Sequence, residues 1–417
     1  MLTIRHNSVS HWALRALWAA ATVAFVLYIP TKAQTGTIGD FTSAFEFAIA
    51  AMALNLAMGY GGIISLGHSA YFGVGGYTTA ILVDHYDWTQ GWTLFAAAVV
   101  GFVIGCATAL PALRLRGVYL ALVTLGLAVL FPQLVKWKKL AWLTDGARGI
   151  DRLSYKDLPR LPFAGQLRAS DGRAVWMYWL AFTVLVISYL VCRGIVKSRV
   201  GRSLVAIRDN ETAAAVMGIH LARTKTLVFG VSAAMCAVAG SLLVIRINVA
   251  TPDGRLFTLL GSITFLLIMV LGGAATLWGP IVGAIIWVLL DTTTREAGAG
   301  DEGVLATVFD TTFGWLDGSP ATLILGLVLL GLVFVAPFGI VGLLKRIFAR
   351  VLVIVPPPAG TGVTATVGPR GSGGDAVATT TAAETDTDTA SGFADPFDTQ
   401  PARPPTSTPS DQPSDQP

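Results

Sequence analysis

Long uninterrupted apolar runs restrict the fold of this chain more than any other feature. Ten of them qualify as candidate membrane spans: 12–30, 40–58, 63–84, 92–110, 117–135, 174–193, 226–246, 257–273, 275–291 and 320–337. A helix needs about 20 mainly apolar residues to cross a bilayer. In hydrocarbon only helices and closed barrels satisfy every backbone N–H and C=O group. The runs are continuous instead of alternating, which excludes a barrel. Run 12–30 exceeds a signal-peptide core and lacks a clear small-x-small cleavage site, so it reads as a retained span. Only 13% of the 417 residues are charged, against roughly 25% in soluble domains. The expected fold is all-α: a polytopic membrane protein of about ten transmembrane helices.

Charge then suggests an orientation. Residues 1–360 hold 27 basic and 17 acidic residues, whereas the segment from Thr361 onward holds two and eight. A positive membrane core with an acidic tail does not indicate nucleic-acid binding. Basic residues mark the cytoplasmic side over short loops. An inside N-terminus places Arg5, Arg15, Arg114, Arg116, the basic segment 194–225, Lys345, Arg346 and Arg350 there. Segment 136–173 opposes this, with nine basic and four acidic residues facing outward.

After Pro356-Pro357-Pro358 the composition shifts to Thr, Ala, Asp, Pro and Gly, with Phe393 and Phe397 the only aromatics in 359–417. Such a stretch buries too little apolar surface to offset its ordering entropy. The expected organisation is an N-terminal segment with the first span (1–39), a membrane core (40–346) and a disordered cytoplasmic tail (347–417).

Several chemistries are missing. No GxxxxGK[ST] phosphate loop, HExxH or GxSxG motif occurs, and the five histidines lack metal-ligand spacing. Cys106, Cys192 and Cys236 fall in apolar runs without CxxC spacing and read as buried thiols. Glu46 is the only carboxylate well inside a span, near a helix end, so an ion-driven relay is poorly supported. The chain is expected to be no enzyme and to carry no metal or cofactor.

Two glycine-rich segments stand out. The first, LNLAMGYGGIISLGHSAYFGVGGYTTAIL at 54–82, has seven glycines between Gly59 and Gly76. Glycine permits both close helix packing and helix breaks. Two readings stay open here. One is a break lining a translocation route, with Gly61, Gly62, Ser65, His68 and Tyr71 along it; the other is tight packing with His68 hydrogen-bonded in the core. The second segment, LGGAATLWGPIVGA at 271–284, has Gly279-xxx-Gly283 and Pro280 at a helix start. Its Gly272, Gly273, Thr276 and Leu277 echo Gly61, Gly62, Ser65 and Leu66, as an internal repeat would.

Residues 199–225, RVGRSLVAIRDNETAAAVMGIHLARTK, form a long polar segment on the inner side. Leu204 and Ile207 share one helix face. Asp209 and Asn210 suit a cap for a second short helix, where Glu211 suits the positive N-terminal dipole, and Gly218 fits the stop. The pair is either a rigid knob for a partner or an amphipathic connector.

The chain resembles the LivM-type permease subunits of branched-chain amino acid ABC importers. GYGGIISLGHSAYFGVGGY at 59–77, LRLRGVYLALVTLGLA at 113–128, GRSLVAIRDNETAAAVMGI at 201–219, MVLGGAATLWGPIVGA at 269–284 and APFGIVGLLKR at 336–346 carry the likeness. LTDGARGI at 143–150 resembles an outer-loop segment of that family, except that Asp145 replaces a usual glycine. The acidic tail has no counterpart in the family's core pattern. The resemblance implies a plasma-membrane permease that imports Leu, Ile or Val by alternating access. Its implied partners are a related second permease, two cytoplasmic ATPases that bind the ATP, and an extracytoplasmic binding protein. Residues 199–219, with Arg208, Asp209, Asn210, Glu211 and Gly218, would couple to the ATPases. Alternatives are a urea or short-chain amide importer and a self-sufficient secondary carrier.

Overall fold

The computed structural model describes residues 2–5, 28–30, 35–112, 118–151, 153, 169–298, 331, 339–343 and 352–355. By packing the chain divides into Met1–Pro357 and Pro358–Pro417. The second unit, which holds most of the segment expected to be disordered, lies outside the described residues, as do runs 12–30 and 320–337 apart from residues 28–30 and 331.

The other eight runs correspond to helices. They are α1 (Thr35–Leu54), α2 (His68–Tyr86), α3 (Gln90–Ala112), α4 (Val118–Val135), α6 (Ala169–Lys197), α9 (Leu221–Ile247), α10 (Leu259–Gly272) and α11 (Gly279–Gly298). Between them lie the short α5 (Ala141–Thr144), α7 (Arg199–Asp209) and α8 (Glu211–Val216). Two four-residue strands, β1 (Leu2–Arg5) and β2 (Leu352–Val355), pair in parallel. Four described helices are both long and apolar enough to cross a membrane: Thr35–Tyr60, Gln90–Leu110, Gly172–Lys197 and Leu221–Ile247. The run 63–84 is not helical throughout. Helix α2 begins only at His68, because the glycines before it leave the helix. Likewise 273–278 interrupts the last two described spans.

Helices α1 and α9 form the centre of the bundle. Their apolar spans are 78% and 83% buried, whereas that of α3 is 33% buried. Helix α9 packs on α3, α2 and α1, and α1 packs on α6, α10 and α11. Without an aqueous drive between helices, small residues set how closely backbones approach. A Cβ at Gly75 would overlap the Ala237 carbonyl, and one at Gly240 would overlap the Phe72 carbonyl. These two glycines let α2 and α9 touch through their backbones. The lipid-like apolar surface lies outside this centre, on Trp92, Phe95 and Val103 of α3 and Leu122 and Leu130 of α4.

A polar frame runs through the same centre. Glu46 sits mid-way along the Thr35–Tyr60 span, not near an end. It is fully buried and takes two bonds from Arg246 of α9, Nε to Oε1 at 2.8 Å and Nη2 to Oε2 at 3.0 Å. Thr79 of α2 hydrogen-bonds Ser241 of α9. At the end of the bundle remote from α7, Ile150 and Ala250 form an antiparallel bridge, and Tyr77 donates to the Ala250 carbonyl at 3.0 Å. Asp145 in this region is left-handed, with φ 54° and ψ 14°. Glycine adopts that conformation without strain and Asp tolerates it better than most residues. That accounts for the exchange noted in the sequence.

Candidate functional site

The site is built from two breaks in the helices and the short-helix knob beside them. In the first, α1 widens into a π-helical turn over Asn55–Tyr60 and ends at Gly61. Gly62 then takes φ +66°, a left-handed value that favours glycine. Helix α2 starts at His68. In the second, α10 ends at Gly272, Gly273 takes φ +116°, and α11 starts at Gly279. The four-position echo seen in the sequence thus has a geometric counterpart. In both places the following helix starts seven residues after the first glycine of the pair.

Hydroxyl groups close each break. Thr276 Oγ1 donates to the Gly273 carbonyl at 2.7 Å and accepts from Gly279 N–H at 3.1 Å. Ser65 Oγ lies 3.0 Å from His68 Nδ1, and His68 Nε2 lies 2.8 Å from Ser232 Oγ of α9, which donates to the Ala53 carbonyl at 2.5 Å. Tyr71 pairs with Thr108 of α3 at 2.6 Å. Ser65, His68 and Tyr71 are all buried. Their polar atoms are engaged with protein, and they line neither of the two described cavities. The glycines fit the same picture. A Cβ on Gly272 would overlap Gly279, and one on Gly283 would lie 2.9 Å from the Gly272 nitrogen.

Asn55, which sequence reading passed over, joins the two breaks. Its Nδ2 donates to the Thr276 carbonyl at 2.8 Å, and its Oδ1 accepts from Ala275 N–H at 2.8 Å. A buried amide in an apolar run was the available signal, but nothing local names a partner 220 residues away. Ala275 is held at φ +56°, which is strained for a residue with a Cβ. Gly59 must be bare here, since a Cβ on it would overlap Asn55 Oδ1 and lie 2.7 Å from Ala275 N.

The knob meets the first break directly. Ser198 caps α7 by accepting from Val200 N–H at 3.1 Å. The helix buries Gly201, Leu204 and Ile207, the face that the spacing predicts. Arg208 donates through Nη1 to the Gly59 carbonyl at 3.1 Å. That carbonyl lies in the last turn of its helix, where C=O groups lack helical partners and a cation is favoured. Asn210 caps α8 through Ala213 N–H at 3.0 Å. Asp209 does not share that role; it turns back to Arg208 at 3.1 Å. Glu211 pairs with Lys225 of α9, and Gly218 ends the unit at φ +81°. The tip of the knob was not singled out from sequence. Val216 and Met217 there are 80% and 82% exposed.

A cleft of about 240 Å³ opens at the opposite end, where Phe47, Leu243, Phe257 and Trp287 supply apolar wall and Arg255 and Asp291 supply charge. Among the described residues no cluster of His, Cys, Asp or Glu is arranged to hold a metal.

Residues 37–337 match the family described as branched-chain amino acid transport system / permease component. The chain belongs to that family. Relatives of this permease include the high-affinity branched-chain amino acid transport system permease protein LivM of Escherichia coli, 30% identical over 302 residues, 67% of this chain and 68% of that one. The LivH permease protein of the same system is 25% identical over 265 residues, 59% of this chain and 80% of that one. A xylose transport system permease protein, XylH of Haemophilus influenzae, is 31% identical over 118 residues, 27% and 32% of the two chains. No solved structure matches the chain. This permease is accordingly a polytopic, helical membrane transport component.

Proposed function

We propose that the chain is the translocating subunit of an ATP-driven plasma-membrane importer for Leu, Ile and Val, working by alternating access. A related second permease completes the path, two cytoplasmic ATPases bind the ATP, and an extracytoplasmic binding protein delivers the substrate. The α7–α8 knob is the ATPase contact, with Arg208, Asp209, Asn210, Glu211 and Gly218 giving it shape and Val216 and Met217 giving it an apolar tip. The observation that carries this reading is the contact between Arg208 and the first break. A surface knob rigidly joined to broken helix in the bundle is what a mechanically driven gate requires. The breaks at Gly61, Gly62, Ser65, His68 and Tyr71 and at Gly272, Gly273 and Thr276 frame the substrate route and give it places to bend. Non-helical backbone at membrane depth is tolerated where it is covered by protein or faces a watery path.

The remote cleft supports this substrate class. Its lining is mostly apolar and includes Arg255. A hydrocarbon surface beside a guanidinium suits a carboxylate that carries an aliphatic side chain better than urea or a small amide. With the knob on the cytoplasmic side, the cleft faces the binding protein.

Reconstitution with its partners in proteoliposomes tests the reading. Leucine uptake is expected only with binding protein and external substrate outside and ATP at the ATPase face. It should vanish when 209–211 is replaced by a flexible linker. Uphill uptake by the isolated chain, or uptake that survives the linker, would overturn the proposal.

A further inference from the structure

Arg208 and Asn55 meet the two breaks in series. Arg208 reaches the Gly59 carbonyl, and its own side chain lies over Gly62, where a Cβ would come within 2.6 Å of Arg208 Cγ. The Asp209 carboxylate holds the guanidinium from the other side. One turn further into the bundle, four residues before Gly59, stands Asn55. Neighbouring turns place such a pair on one face, and the missing side chain at Gly59 lets the Asn55 amide cross to the second break. There it takes both polar groups of the turn, Ala275 N–H and Thr276 C=O. Among the described hydrogen bonds, these two alone join the helix of the first break to the second.

The second break is built to respond. Ala275 is left-handed without being glycine, Gly273 is at φ +116°, and Thr276 closes the turn on Gly273 and Gly279. Strained backbone persists where its surroundings hold it, and it clusters at switching elements. The amide of Asn55 is part of what holds it. A displacement of the C-terminal end of α7 therefore acts on the Gly59 carbonyl, through the π-helical turn to Asn55, and so on the strained turn. The π-helical turn carries the middle of this path, and a directed hydrogen bond stands at each end of it.

We propose that Arg208 and Asn55 form one mechanical linkage that makes both helix breaks move together when the knob moves. Both are positioning residues, acting through the breaks and not on solute. The proposal rests on the reading that the knob receives the ATPase.

The test uses the full importer with its ATPases and binding protein. Asn55→Leu keeps side-chain bulk and removes both bonds to the second break. It is expected to leave ATP hydrolysis running while solute moved per ATP falls about tenfold, within the usual range of a coupling between sites. Arg208→Met should lower the same ratio. The double variant should be no worse than the more severe single one, since residues in one chain of contacts are not additive. An environment-sensitive fluorophore on Trp278→Cys, at the second break, should lose its ATP-dependent signal in Arg208→Met even if Asn55→Leu fails to assemble. A photocross-linker on Met217→Cys reports ATPase contact separately. Cross-linking together with an unchanged ratio in Asn55→Leu, with multiplied losses in the double variant, or with a retained signal at 278 in Arg208→Met, overturns the linkage and leaves the docking reading standing. Absence of cross-linking overturns the docking reading itself.

Discussion

Replacing Glu46 should be among the most damaging single changes in this bundle, and the reason is Arg246. The pair makes two bonds of 2.8 and 3.0 Å between α1 and α9. Hydrogen bonds between membrane helices contribute only about 0.6 kcal/mol each on average, so the two bonds account for about 1 kcal/mol. Stranding a buried charge costs about 3–5 kcal/mol. Roughly a quarter of the Arg246 side chain (26%) reaches the surface, while Glu46 is 0% exposed. Glu46→Leu should therefore fall near the lower end, about 3 kcal/mol. Glu46→Gln keeps one acceptor for Arg246 Nε but turns an N–H toward Nη2, for an expected loss of about 2 kcal/mol. Replacing both partners by leucine removes the stranded charge, and stability should return to within about 1 kcal/mol of the parent. The assay is unfolding of the purified permease by sodium dodecyl sulfate in mixed micelles, followed by far-UV circular dichroism. A Glu46→Leu loss below about 1 kcal/mol, or a double variant equal to the sum of the singles, would refute the reasoning.

Three further outcomes follow from the packing and the knob. Gly240→Ala drives a methyl group into the Phe72 backbone and should cost about 1–3 kcal/mol in the same assay, whereas Gly194→Ala, in open space, should stay within about 1 kcal/mol. Asn210→Ala removes the α8 cap at Ala213, so amides 211–216 should exchange faster in deuterium by the equivalent of about 1 kcal/mol, and Asn210→Asp should restore protection. Joint replacement of Val216 and Met217 by serine should reduce co-purification of the proposed ATPase partner without moving the unfolding midpoint, because both side chains are exposed; undiminished co-purification would remove the tip from the proposed contact.

What the sequence determined is what depends on near neighbours along the chain. Apolar runs become helices because a buried backbone has to bond within itself, and the eight runs among the described residues did so. The α7 face at Leu204 and Ile207, the Asn210 cap and the Gly218 stop were legible for the same reason, since each is settled within a turn or two. The two glycine-rich segments also announced themselves, although whether the first packed or broke its helix stayed open in the sequence. The structure answers with both: a helix end at Gly61 and backbone contact at Gly75. Only the tertiary structure decided who meets whom across the bundle. Glu46 reads as an isolated acid until α9 brings Arg246 from 200 residues away. Asn55 is an unremarked amide until α10 and α11 present a turn whose N–H and C=O it fits. Hydrophobic burial is non-directional and sets which helices form, but polar groups in a low-dielectric interior demand specific partners. Those partners are fixed by helix neighbourhood and axial register, which no local pattern encodes.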